Sequence, residues 1–153
     1  MTTIETTKTI EITLYTDAKA KTDRFAICNA EGESVWYGKF FADDRDYNGE
    51  QSTGEMAAAK KAVWLAKKVA DETGAKARLT LKTDAEWLTW ANYCDPGSKQ
   101  GGKARELAKA AAYYGVELEV EHVKGAANPA DVWTTASGFK KYDLGLVTYK
   151  EVA

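Results

Sequence analysis

Asp17, Glu55, Asp84 and Asp131 stand at four junctions of the chain. Asp17 closes one strand-like run and Asp84 closes another. Glu55 opens a long helical stretch, and Asp131 opens a last short one. Carboxylates at strand ends and helix starts of a single α/β unit can converge on one edge of its sheet. Four converged carboxylates cannot all stay charged without compensation, because like charges raise one another's pKa. Divalent cations supply that compensation. Magnesium favours carboxylate oxygens, and two such ions about 4 Å apart promote phosphodiester cleavage.

The elements that must position these residues can be read from patterning. Ile10–Thr16 (IEITLYT), Arg24–Ala30 (RFAICNA) and Val35–Ala42 (VWYGKFFA) are rich in β-branched and aromatic residues, and predict an antiparallel three-strand meander. Ser52 and Thr53 are expected N-caps of a helix over Gly54–Glu72. Met56, Ala59, Val63, Ala66 and Ala70 recur along it at core spacing. Arg78–Thr83 is a fourth strand and Asp84–Tyr93 a short helix. Lys103–Tyr114 is another helix and Val116–Val123 a fifth strand. Asn128-Pro129 has the chemistry of a helix start, with Asn as N-cap and Pro in the first position. The fold class is α/β: a five-stranded mixed sheet in the order β-β-β-α-β-α-α-β-α, flanked by helices. If the first and fourth strands are parallel neighbours, Asp17 and Asp84 emerge at the edge where open α/β sheets bind ligands.

Bulk properties narrow the function class. The 153 residues suit one domain, expected over 10–138, with a polar lead-in at 1–9 and a tail at 139–153 of no assigned role. No apolar run is long enough for a membrane span, and the N-terminus lacks an apolar signal core, so an intracellular, cytoplasmic protein is expected. Cys28 and Cys94 have no metal-ligand spacing and read as free thiols in a reducing compartment. His122 is the one histidine, which excludes a His-rich zinc site. The formal charge is −2, but with four carboxylates covered by metal the remaining 19 acidic residues face 21 basic ones. A local basic groove is compatible with that balance.

Four segments carry a family resemblance. Leu14-Tyr15-Thr16-Asp17 resembles the first motif of type 1 ribonuclease H, a strand ending in Thr-Asp. Gly54-Glu55-Met56-Ala57-Ala58 resembles its Glu-Leu-x-Ala-Ala helix start, and Leu81-Lys82-Thr83-Asp84-Ala85 its Thr-Asp-Ser strand end. His122-Val123-Lys124-Gly125 resembles its Val-Lys-Gly-His turn, while Asn128-Pro129-Ala130-Asp131 is closer to the ribonuclease H domains of retrotransposons.

The resemblance implies the ribonuclease H-like fold and an endonuclease that cleaves the RNA strand of RNA–DNA hybrids with two Mg²⁺ or Mn²⁺ ions. Asp17 would bridge both ions, Asp131 would complete the nucleophile side, and Glu55 and Asp84 the leaving-group side. Lys19, Ser52, Thr53, Lys124, Trp87 and Lys103 are the expected substrate-binding residues, with Lys21, Lys99, Arg105 and Lys109 as further phosphate candidates. Trp64 and Trp133 are expected in the core. Departures from the pattern are specific. Ala18-Lys19 replaces the usual Gly-Ser after the first Asp, Ala126 stands where a mobile His follows Lys-Gly, and the basic handle shrinks to Asp95–Gly102. Slower turnover and weaker hybrid binding are expected. Two other readings are a nuclease of the same fold with another substrate, of resolvase or transposase type, and a non-catalytic module that binds nucleic acid or protein. Oligomeric state is not legible.

Overall fold

The computed structural model describes residues 8–95 and 102–152. Lys99 and most of the expected handle lie outside them, as do residues 1–7 of the lead-in. Strand β1 (Lys8–Lys19) runs through the middle of the sheet. It is followed by β2 (Arg24–Asn29), β3 (Ser34–Lys39), helix α1 (Gln51–Thr73), β4 (Ala75–Thr83), α2 (Arg105–Tyr114) and β5 (Glu117–His122). The strand order is β3-β2-β1-β4-β5. The first three strands pair antiparallel, and β1–β4 and β4–β5 pair parallel. The five-stranded mixed sheet flanked by helices is therefore the architecture expected from the sequence. Among the described residues, no helix is long and apolar enough to cross a membrane.

A sixth strand was not expected. β6 (Tyr149–Val152) pairs antiparallel with the first half of β1, from Thr9↔Val152 to Ile12↔Tyr149. β2 pairs with β1 only from Leu14 onward. One side of β1 is thus shared by two strands, and the segment after residue 139 closes the place that β2 leaves open. On its way that segment runs past β3, where Tyr37 and Lys140 exchange backbone hydrogen bonds of 3.1 and 2.8 Å. Asn29 then donates from Nδ2 to the Leu146 carbonyl at 2.8 Å.

The core lies between the sheet and the two long helices. Met56, Ala59, Val63, Ala66 and Ala70 are all buried, as their spacing predicts. The many alanines on this face let α1 lie close against Ile12, Leu14, Leu79 and Leu81, which are fully buried. Gly74 and Gly115 end the two helices with positive φ and donate to carbonyls of the last turn, as left-handed C-caps do. Trp64 and Trp133, expected in the core, are half-buried. Trp64 packs on the main cluster, and Trp133 stacks on Tyr37 with ring centroids 4.6 Å apart.

Several expected boundaries move. β1 continues past Asp17 to Lys19 because Ala18↔Phe25 and Lys19↔Arg24 still pair. The hairpin closes afterwards, at Asp23, the one non-glycine residue with positive φ among those described (φ 55°). α1 starts at Gln51, so Ser52 and Thr53 lie inside its first turn and are not N-caps. The Thr53 hydroxyl instead donates to the Glu50 carbonyl at 2.8 Å and accepts from the Asn48 amide at 3.2 Å. The helices expected after Asp84 and at Asp131 are 3-10 turns over Glu86–Tyr93 and Asp131–Thr134. In both, a threonine hydroxyl donates to the carbonyl three residues back, Thr89 to Glu86 and Thr134 to Asp131, which favours the tighter winding.

Candidate active site

Asp17 sits two residues before the end of β1, and Asp84 directly follows β4. The two strands run parallel in register up to Thr16↔Thr83, so both acids leave the sheet at the same edge. The buried Thr83 shapes the exit, its hydroxyl accepting from the Ala85 amide at 3.0 Å. The turn 124–127 closes over this edge. A Cβ on Gly125 would lie 3.4 Å from Asp84 Oδ2, so the turn passes hard against that carboxylate. Asn128 fixes its far end, donating from a buried Nδ2 to the Thr16 carbonyl at 2.9 Å while its Oδ1 accepts from the Ala130 amide at 3.0 Å. That clamp delivers Asp131 to Asp17.

The electrostatics record how near the acids are. Asp17 is only 5% exposed. Burial, then the charge of Asp84, then contact with Asp131 raise its pKa to about 8, against the opposing pull of the Ala18 amide. The Glu55 pKa is also raised, first by burial and lastly by Asp84, with hydrogen bonds from Trp87 and Gln51 working the other way. Asp17 therefore feels Asp84 and Asp131, and Glu55 feels Asp84. All four acids interact along one sheet edge.

Compensation comes from three places. Burial and the neighbouring acids favour the protonated form of Asp17. Lys19 Nζ lies 3.1 Å from Asp131 Oδ1 in a half-exposed ion pair. Trp87 donates from Nε1 to Glu55 Oε1 at 2.9 Å. The donors are all hard carboxylate oxygens, the chemistry that Mg²⁺ and Mn²⁺ favour. Among the described residues, however, no three of them close tightly enough to hold a metal ion as they stand. The donor set fits the ions in kind, and its side chains must draw together to fit in spacing.

The expected substrate-binding residues divide into three groups. Ser52, Thr53, Trp87 and Lys103 line one cavity of about 250 Å³ beside Glu55, whose other charged residues are Arg45 and Glu106 and the ion pair of Lys60 with Asp46. Lys19 is half-exposed and paired with Asp131. Lys124 is exposed at the start of the turn over Asp84. Lys21 is exposed in the β1–β2 hairpin, and Lys109 lies 3.9 Å from Glu106. His122 is exposed at the end of β5, opposite Thr83. Trp87 is half-buried, whereas Trp90 is 65% exposed.

Three contributors were missed at the level of sequence. Gln51 donates to the Ala18 carbonyl at 2.7 Å and accepts from the Ala20 amide at 2.8 Å, tying the start of α1 to the strand that carries Asp17. The buried Thr134 hydroxyl lies 3.4 Å from Asp17 Oδ2. Asn128 was read as a cap, but it also holds β1. The i,i+3 spacing of Asp131 and Thr134 was the available signal for Thr134, since it puts both on one face of a 3-10 turn.

No protein-family description and no curated protein matches this chain. Among solved structures it is similar to the crystal structure of RNase H1 from the halophilic archaeon Halobacterium salinarum NRC-1, at 17% sequence identity and a TM-score of 0.49, covering 80% of this chain and 93% of that one.

Proposed function

We propose that this chain is a divalent-metal-dependent endonuclease of the ribonuclease H type, which hydrolyses the RNA strand of RNA–DNA hybrids. The observation that supports it most is the buried Asp17, whose negative charge is opposed by both Asp84 and Asp131. A fold maintains such repulsion at a cost, and strongly perturbed acids gathered at one sheet edge mark a candidate site. Asp17, Glu55, Asp84 and Asp131 would hold two Mg²⁺ or Mn²⁺ ions. When bound, the ions supply charge neutralisation at the attacking oxygen, the phosphate and the departing 3′ oxygen.

The residues around the acids have separate tasks in this reading. Asp17 must lose its proton to serve as a ligand. Trp87 and Gln51 favour the charged form of Glu55 and keep it oriented. Thr134 and Asn128 hold the two halves of the site together. Lys19, once released from Asp131, becomes available to a phosphate oxygen. Ser52, Thr53 and Lys103 offer hydroxyl and ammonium groups to the sugar-phosphate backbone. Recognition of a hybrid requires 2′-hydroxyls on one strand and tolerance of DNA on the other.

The decisive experiment compares the chain with Asp17→Asn on labelled hybrid, duplex DNA, duplex RNA and single-stranded RNA, in Mg²⁺ and in Mn²⁺. Hydrolysis of the hybrid's RNA strand is expected, with loss of at least about a hundredfold in the variant and an unchanged circular dichroism spectrum. Undiminished cleavage by Asp17→Asn would sink the proposed site. The Lys19–Asp131 ion pair favours a second reading, a non-catalytic nucleic-acid-binding module. Binding of hybrid without cleavage of any substrate in either metal would select it.

A further inference from the structure

A second feature lies along the same sheet edge as the acids, two strands away. The last residue of β1, Lys19, pairs with Arg24 of β2, and Arg24 pairs with Lys39 of β3. Beyond Lys39 a cavity of about 520 Å³ opens between β3 and the segment 138–141. Its walls are aromatic, and its charged residues are Arg24, Lys39, Lys140 and Lys141, with no carboxylate among them. The whole chain has 23 acidic and 21 basic residues, so an all-cationic lining is not what its average composition gives. Phe41 and Phe139 stand at the cavity 62% and 72% exposed.

The walls are fixed in advance. A Cβ on Gly38 would fall 2.9 Å from the Phe139 Cβ, so only glycine at this buried position lets Phe139 lie against β3. Arg24 Nη2 donates to the Gly138 carbonyl at 2.6 Å, and Tyr37 pairs with Lys140 through the backbone. Lys140 Nζ is committed to the Ser34 carbonyl at 2.8 Å. That leaves the exposed Lys39 and Lys141 to meet an incoming anion.

We propose that this cavity takes an unpaired nucleobase from a single-stranded segment continuous with the strand at the acidic edge, its ring against Phe41 and Phe139 and its phosphates on Lys39 and Lys141. Exposed aromatic rings beside free cations form the platform on which single strands bind, because every base has a π-face and every nucleotide a charge. The inference rests on the reading that the acidic edge takes nucleic acid.

Fluorescence anisotropy in EDTA tests it, since binding is then read without cleavage. A hybrid with a six-nucleotide single-stranded extension is compared with the blunt hybrid, for the wild type, Phe41→Ala/Phe139→Ala and Lys39→Ala/Lys141→Ala. The wild type should bind the extended hybrid roughly tenfold more tightly, and each double variant should lose that advantage while binding the blunt hybrid as before. Both rings are largely solvent-exposed, and circular dichroism checks that each variant is folded. Equal affinity of the wild type for the two hybrids overturns the proposal, as does an extension advantage retained by both variants. A labelled Asp- and Phe-containing peptide that binds the wild type, with no extension advantage, would assign the cavity to a protein partner instead. Cleavage without the extension advantage rejects the cavity alone, and the advantage without cleavage rejects the nuclease alone.

Discussion

Asp17 carries the strongest perturbation at the proposed site, and its sign has a consequence for stability. Its pKa is raised from 3.8 to about 8 by burial, Asp84 and Asp131. The folded protein therefore binds a proton that the unfolded chain has already lost between about pH 4 and pH 8. Stability from this group is complete below the unfolded pKa and is lost as pH rises through the folded one. Without divalent metal, the protein should unfold more easily at pH 8 than at pH 5. Asp17→Asn, which cannot ionise, should flatten that dependence and raise Tm at pH 8 by roughly 10 °C. Thermal melts of both proteins in EDTA across this range check it, and parallel pH profiles would contradict it. Lys19 illustrates a different limit. A lysine two residues after a proposed ligand reads naturally as a phosphate contact, yet its ammonium lies on Asp131. The two are 112 positions apart in the chain, so no local pattern announces the pair.

At the scale of elements, the sequence reveals what periodicity and chain direction control. The helical stripe from Met56 to Ala70, the three-strand meander and the two parallel crossovers follow from spacing and turn chemistry. The shared edge of Asp17 and Asp84 follows from those crossovers. β6 was not legible, because Tyr149-Lys150-Glu151-Val152 has no fully buried residue and shows no apolar alternation. Its pairing is set by a gap beside β1 that only the assembled sheet reveals. The contact from Trp87 to Glu55 was hidden for a related reason, since it spans 32 positions between two helical elements. β6 should nevertheless matter. Removing residues 147–152 takes away the buried Val147 and uncovers the backbone beside Ile10 and Ile12. A loss of about 2 kcal/mol is expected, from one buried valine and a lost edge ladder. It would be read as a lower urea midpoint, and an unchanged midpoint would show that β6 carries no stability.

For the molecule as a whole, a net charge of −2 means that nucleic acid is not attracted from every side. Attraction must be local, and the exposed Lys39, Lys103, Lys124 and Lys141 are the cations placed to provide it. Four phosphate contacts predict a slope of roughly −3 to −4 for the logarithm of affinity for the extended hybrid against that of salt concentration, and the two from Lys103 and Lys124 a slope of roughly −2 for the blunt hybrid. Titrations from 50 to 200 mM salt measure it, and a slope near zero would remove these lysines from the interface. The pairing of Thr9 with Val152 bears on the molecule as a tether. It sets Lys8 and Val152 side by side at one pole of the sheet, with Asp17 nine residues further along β1. At about 3.3 Å per residue the separation approaches 30 Å. The two described ends of the chain therefore share one pole of the sheet, and Asp17 and Asp84 stand at the other.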